Sequence, residues 1–170
     1  MTAAMFEELA MPLFDQLYNF AQWLTRDRAE AEDLVQETYA KALRGFTSFQ
    51  RGTNFRAWMY RILRNTFLTS RSGLKAASMV ALDADDAPEI SAGPETPETI
   101  VIGRFQEKLL QAALEELPLP FREILLLCEV EEMSYQEISE ALSIAPGTVM
   151  SRLSRARKAL REILRRKLGG

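Results

Sequence analysis

The chain has 170 residues, 47% of them apolar and 26% charged, with a formal net charge of −3. That length suits one domain or two small ones, with enough apolar side chains for packed cores. One cysteine and no histidine exclude a self-contained disulfide framework and a zinc site of the usual ligand set. They also remove the commonest general base from acid–base and nucleophilic schemes. No window approaches the roughly 20 apolar residues of a membrane span. The first residues lack the basic-then-apolar pattern of a secretory signal. The expectation is a cytoplasmic, non-enzymatic chain without catalytic residues, metal ligands or a cofactor.

Phe6, Leu9, Ala10, Leu13, Leu17, Phe20, Ala21 and Leu24 recur at helical spacing. Pro12 interrupts them and predicts a kink or a helix restart. Asp27 and Glu30 form a cap-like pair, and a helix is expected to about Arg44 with Gly45 as its stop. Ala31, Leu34, Val35, Thr38 and Ala42 make its packing side. Glu32, Asp33, Gln36, Glu37 and Lys41 lie largely elsewhere, and an ordinary solvated polar face accounts for them.

Residues 45–53 read as a loop. Asn54 is placed to cap the next helix, FRAWMYRILRN, because its side chain can accept from an orphan backbone donor. Phe55, Trp58, Met59, Ile62 and Leu63 have helical spacing. Arg56, Arg61 and Arg64 interleave with Trp58, Tyr60 and Phe67, and residues 66–71 add hydroxyls and Arg71. Arginines that track phosphates beside rings that stack on exposed bases suit single-stranded nucleic acid. A core helix with surface arginines reads equally well from composition alone.

Residues 74–99 differ in kind. Asp83, Asp85, Asp86, Glu89, Glu95 and Glu98 are unrelieved by any base, and Pro88, Pro94 and Pro97 break helices. A flexible acidic linker is expected here. It divides the chain into helical domains over 1–73 and 100–170. In the second, Phe105, Leu109, Ala112, Ala113 and Leu117 predict one helix, stopped by Pro118 and Pro120. Phe121, Ile124, Leu125 and Cys128 predict another, with Cys128 on the apolar stripe as a buried, inert thiol.

Ser134 and Glu137 then have capping-box spacing, and Ile138, Ala141 and Leu142 give a short helix its apolar face. Residues 143–145 make the break, and Pro146 suits the first turn of a new helix. Val149, Leu153, Ala156, Leu160, Ile163 and Leu164 form its stripe. Arg152, Arg155, Arg157, Lys158, Arg161, Arg165, Arg166 and Lys167 crowd the other faces against the single acid Glu162. A short helix, a tight turn and a longer basic helix are the parts of a helix-turn-helix, whose second helix enters the major groove by its N-terminal end. A solvated basic helix on an ordinary bundle is the plainer reading, and the charge asymmetry argues against it.

Three passages, in order, resemble the extracytoplasmic-function group of bacterial sigma factors. AEAEDLVQETYAKAL is similar to region 2.2, FTSFQRGTNFRAWMYRILRNTF to regions 2.3 and 2.4, and LPLPFREILLLCEVEEMSYQEISEALSIAPGTVMSRLSRARKAL to region 4. The resemblance implies an all-α fold, with region 2 and region 4 joined by the linker, and a subunit that directs RNA polymerase to promoters. Its implied partners are the polymerase core (β′ clamp helices and β flap), promoter DNA and an anti-sigma factor. Asp33, Gln36 and Glu37, with Leu34 and Lys41 beside them, would bind polymerase. Arg56, Trp58, Tyr60, Arg61, Asn65, Thr66, Phe67 and Arg71 would act at the −10 element. Asn65, Thr66 and Phe67 would start a loop that captures a flipped base. Tyr135, Thr148, Met150, Ser151, Arg152, Ser154, Arg155 and Lys158 would act at the −35 element. Many members have Arg or Lys where this chain has Met150, which offers a base only apolar contact. The wording GTVMSRL resembles the branch that answers thiol-oxidative stress, where a partner protein holds the sensing cysteines. Other readings remain: a stand-alone helix-turn-helix regulator with an N-terminal partner-binding bundle, and a module that sequesters another protein.

Overall fold

The structure, a computed structural model, describes residues 3–49, 54–70 and 107–169. The expected linker, 74–99, and Arg71 lie outside them. Among the described residues the chain is helical and holds no strand. The first bundle consists of α1 (Ala3–Ala10), a 3-10 turn (Met11–Leu13), α2 (Phe14–Thr25), α3 (Arg28–Gly45), a second 3-10 turn (Phe46–Ser48) and α4 (Phe55–Ser70). The second consists of α5 (Glu107–Glu116), α6 (Leu119–Leu125) with a π-type turn at its end (Leu126–Val130), α7 (Tyr135–Leu142) and α8 (Pro146–Gly169).

Local chemistry sets the helix ends. Pro12 falls in the first 3-10 turn, where its missing N–H splits one helical pattern into α1 and α2. The Ala10 carbonyl at that break accepts from the Tyr39 hydroxyl at 2.7 Å, which ties the break to α3. Arg26 ends α2 in the left-handed region at φ 60°, and its N–H returns to the Gln22 carbonyl. Asp27 caps α3 by accepting from the Glu30 amide at 3.0 Å, and Asn54 caps α4 by accepting from the Ala57 amide at 2.8 Å.

Two ends differ from expectation. Gly45 has φ −96° and makes no left-handed stop. The chain tightens into the 3-10 turn instead, where the Ser48 hydroxyl donates to the Gly45 carbonyl at 2.7 Å. Helix α4 also runs past Asn65 to Ser70, so Thr66 and Phe67 lie within a helix and not in a loop. No glycine or proline interrupts that stretch. The Thr66 hydroxyl donates to the Ile62 carbonyl at 2.7 Å, and Phe67 is buried.

In the first bundle Leu17, Phe20 and Ala21 of α2, Ala31, Val35 and Ala42 of α3, and Met59, Tyr60 and Leu63 of α4 are buried together. An aromatic group joins α1 to α4: Phe6 meets Phe46 at 5.3 Å, Phe49 meets Trp58 at 5.0 Å, and Phe55 meets Trp58 at 5.6 Å. Such edge-to-face and tilted pairs add to plain area burial. In the second bundle Ile124, Leu127, Ile138, Leu153 and Leu160 fill the core between α6, α7 and α8. The capping box is complete: the Glu137 amide donates to the Ser134 hydroxyl at 3.0 Å, and the Ser134 amide to Glu137 Oε1 at 3.4 Å. Ser143 then turns the chain at φ 59°, and Pro146 opens α8. The two bundles meet where α4 lies against α7.

Leu153 is fully buried on α8 while Met150, one turn earlier, is 57% exposed. Leu153→Ala is therefore expected to cost about 2–5 kcal/mol of stability through lost packing and a residual cavity. Met150→Ala is expected to cost under about 0.5 kcal/mol. Denaturant unfolding of both variants checks which face of α8 is inside.

Candidate nucleic-acid and partner interface

The polar side of α3 presents Asp33, Gln36 and Glu37 to solvent. Lys41 is half-buried and sits 3.9 Å from Glu37 in an i, i+4 pair. Leu34, in contrast, is 7% exposed and belongs to the packing side. Beside this face an open groove of about 320 Å³ is lined by Thr25, Glu30, Asp33, Leu34, Glu37, Phe67 and Ser70. The groove thus runs from the acidic face of α3 to the neutral end of α4.

Helix α4 carries the arginines, and each reaches the second bundle. Arg56 forms a two-pronged pair with Glu137, Nε to Oε2 at 2.8 Å and Nη2 to Oε1 at 2.9 Å. Its Nη1 also donates to the Glu131 carbonyl at 3.2 Å. Arg61 Nη1 donates to the Glu140 carbonyl at 3.3 Å. Arg64 Nε donates to both Glu123 oxygens, at 2.9 and 3.0 Å. A further pair, Arg26 to Glu115 at 2.9 Å, joins the end of α2 to α5. The Glu123 side chain is 2% exposed and that of Glu137 13%, so water screens these pairs little.

Burial works against the Glu137 carboxylate, but the Arg56 guanidinium, the Ser134 amide and Asn54 together hold its pKa below the ordinary value. Glu131 moves the other way: burial raises its carboxyl, with Tyr60 and Arg56 opposing. Tyr60 is 1% exposed beside it, and burial pushes its phenol up. Tyr60, Thr66 and Phe67 are therefore packing residues here, while Asn65 is exposed on α4 and Trp58 is half-buried in the aromatic group.

On the helix-turn-helix, Tyr135 is 41% and Met150 57% exposed. Lys158 is also exposed, and Thr148, Ser151, Ser154 and Arg155 are half-buried. Arg152 is 2% exposed and lies on the inner side of α8. Its position, three after Val149 and four before Ala156, already falls on the apolar stripe. The basic residues of α8 thus split into groups. Arg157 pairs with Glu129 at 2.9 Å, Lys167 pairs with Glu116 at 2.7 Å, and the N-terminal end faces outward. Cys128 is half-buried with Arg157 Nη2 3.6 Å from its sulfur. Burial first, and Glu129 second, raise its thiol pKa, with Arg157 opposing. The acids Glu123, Glu131 and Glu137, which meet α4, were not singled out as a group by sequence reasoning. Their partners lie 59–81 residues away where the separations of the Arg64 and Arg56 side-chain pairs are measured, and no local pattern marks such pairing.

Among the described residues no group of His, Cys, Asp and Glu could hold a metal ion. No described helix is long and apolar enough to cross a membrane.

Comparison with known proteins identifies the family. The Sigma-70 region 2 family matches residues 9–75, and the Sigma-70, region 4 family matches residues 107–160. The chain is 37% identical over 158 residues to the ECF RNA polymerase sigma factor SigE of Mycolicibacterium smegmatis, covering 93% of this chain and 61% of that protein. It is 35% identical over 165 residues to the ECF RNA polymerase sigma factor EcfG of Rhodopseudomonas palustris, covering 91% of this chain and 88% of that one. In structure it is similar to the sigma factor RpoE of Bartonella quintana, solved in complex with the anti-sigma factor NepR. That likeness has a TM-score of 0.70 and 30% identity over 96% of this chain and 98% of that one. With both family regions matched in order on a two-bundle helical fold, the chain belongs to the extracytoplasmic-function sigma factors of the sigma-70 family.

Proposed function

We propose that the chain acts in the cytoplasm as an alternative sigma factor. It directs RNA polymerase core to promoters by reading −35 and −10 elements and makes or breaks no bond itself. The observation that carries this reading is the geometry of α7 and α8. A complete capping box and a left-handed turn at Ser143 set the two helices, and the N-terminal end of α8 points outward with Met150 57% exposed. That is the geometry with which a second helix enters a major groove. Arg155, Ser151 and Ser154 are the base-directed candidates there, with Tyr135, Thr148 and Lys158 at the edge of the contact. Met150 offers apolar contact, for example to a thymine methyl. Arg152 holds the helix from inside.

The exposed acids and amide of α3 suit a basic or amide-rich protein surface. Asp33, Gln36 and Glu37 carry polymerase binding in this reading, with the β′ clamp helices as the partner and the β flap receiving region 4. Arg56, Arg61, Trp58 and Asn65 serve the −10 strand. A base that leaves the stack costs a few kcal/mol, which hydrogen bonds and ring contacts offset. The continuation of α4 to Ser70 makes Asn65 a helix-borne amide. An anti-sigma partner restrains the subunit and brings the signal, which agrees with a high, burial-raised pKa at the sole thiol.

Alanine at Asp33, Gln36 and Glu37 together should weaken binding to core polymerase, with a stability change under about 0.5 kcal/mol per site; unchanged affinity in a fluorescence-anisotropy titration removes the α3 assignment. Arg155→Ala should cost about 1–3 kcal/mol of −35 binding and relax base preference there. Lys158→Ala should weaken all sequences alike and lower the salt slope by about one. A uniform loss across −35 variants in Arg155→Ala would make Arg155 a phosphate contact instead. Run-off transcription by the reconstituted holoenzyme should be the same with and without reductant, in the parent chain and in Cys128→Ser. An oxidant-dependent loss that Cys128→Ser abolishes would place the sensor in this chain.

A further inference from the structure

The start of α8 has little local support. Its first backbone bonds, from the Thr148 N–H at 2.9 Å and the Val149 N–H at 3.1 Å, end on the Ala145 carbonyl. Ala145 has no side-chain oxygen, so it cannot cap a donor as Asp27, Asn54 and Ser134 do for α3, α4 and α7. Gly147 follows Pro146 with nothing within 4 Å of where a Cβ would stand. The turn ahead of α8 is itself strained. Ser143 has φ 59° and ψ 47°, a left-handed conformation that suits glycine and disfavours a residue with a Cβ. The direction of α8 must therefore be fixed from outside its own first turn.

Ser139 of α7, 9% exposed, supplies that restraint. Its carbonyl accepts from the Ser143 N–H and, at 3.1 Å, from the Ile144 N–H. The second bond is the one that closes a Schellman helix end. The Ser139 hydroxyl also donates to the Ile144 carbonyl at 2.6 Å. Ile144 is thus held at both its N–H and its C=O by a single residue, while its side chain packs against the core. A helix hydroxyl ordinarily turns back to the carbonyl four residues before it, as Thr25, Thr38 and Thr66 do in this chain. Ser139 instead reaches forward across the turn, to the residue two before Pro146.

We propose that Ser139 is a positioning residue for −35 recognition. Its two-ended clasp on Ile144 holds the left-handed turn at Ser143, and with it the angle at which α8 meets the major groove. The proposal deepens the reading of α7 and α8 as a promoter-binding helix-turn-helix and rests on it. Ser139 is buried and acts through the turn. The side chains at the outward end of α8, Ser151 and Arg155 above all, must come within hydrogen-bond distance of base edges. A small swing of the helix misplaces them together.

The test uses the full chain in reconstituted holoenzyme, on a promoter taken from the chain's own transcription starts and on −35 variants of it. Run-off transcription reads the promoter concentration at half-maximal initiation, the maximal rate and the preference among −35 bases. Ser139→Ala removes the hydroxyl and keeps the helix, because alanine is the strongest helix former. The half-saturating concentration should rise about 3- to 10-fold, the loss of one net hydrogen bond. The maximal rate should change less, and preference among −35 bases should relax. Adding Ser143→Gly to Ser139→Ala should recover most of both losses, since glycine takes the left-handed turn without a clasp. A hydroxyl that merely supported α7 would not be replaced by a glycine in the turn. Parental half-saturation and −35 preference in Ser139→Ala overturn the proposal. So does a loss that Ser143→Gly leaves in place, whether of −35 preference or of helix by circular dichroism. A parent holoenzyme whose starts ignore every −35 substitution removes the helix-turn-helix reading, and the proposal with it.

Discussion

The Arg56–Glu137 pair is the contact on which the arrangement of the two bundles depends most. It is two-pronged, 2.8 and 2.9 Å long, and mostly withdrawn from water. A buried charge without its partner is costly, so once α4 and α7 have met, each holds the other in one register. Arg64 and Glu123 repeat the arrangement farther along α4 with still less water. An ion-paired seam of this kind differs from an apolar core. It contributes little net stability, because both charges lose hydration in forming it, yet it discriminates sharply between correct and shifted docking.

The same physics distributes the basic residues of α8. Arg157 and Lys167 are spent on Glu129 and Glu116 within their own bundle, and Arg152 is inside. The N-terminal end of the helix and its outer flank face outward. Net charge therefore says little about function in this chain: an overall −3 coexists with a basic face on α8 and an acidic one on α3. What matters is which charges find partners within the fold and which face outward.

Much of this was legible in the sequence wherever the cause is local. The caps at Asp27, Asn54 and Ser134 and the break at Pro12 follow from side chains within four residues of the backbone groups they serve. The helices of both bundles follow from apolar periodicity. The burial of Arg152 was also open to view, since its spacing from Val149 and Ala156 places it on the stripe; its charge drew attention to DNA first. The continuation of α4 through Thr66 and Phe67 was open to view as well, since Phe67 falls four residues after Leu63 and eight after Met59 on the buried stripe. One feature was out of reach. The pairing of α4 arginines with acids of region 4 depends on the docking of two bundles, and no local spacing marks it.

The central claim is that this chain gives polymerase its promoter choice. The most direct measurement is transcription of fragmented genomic DNA from its own organism by core polymerase, with and without the purified chain, followed by sequencing of RNA 5′ ends. The account predicts starts that occur only with the chain and share a two-part motif upstream, at the −35 and −10 distances. A chain that binds duplex DNA tightly by itself yet produces no new starts would contradict it, and would point to a stand-alone helix-turn-helix regulator instead.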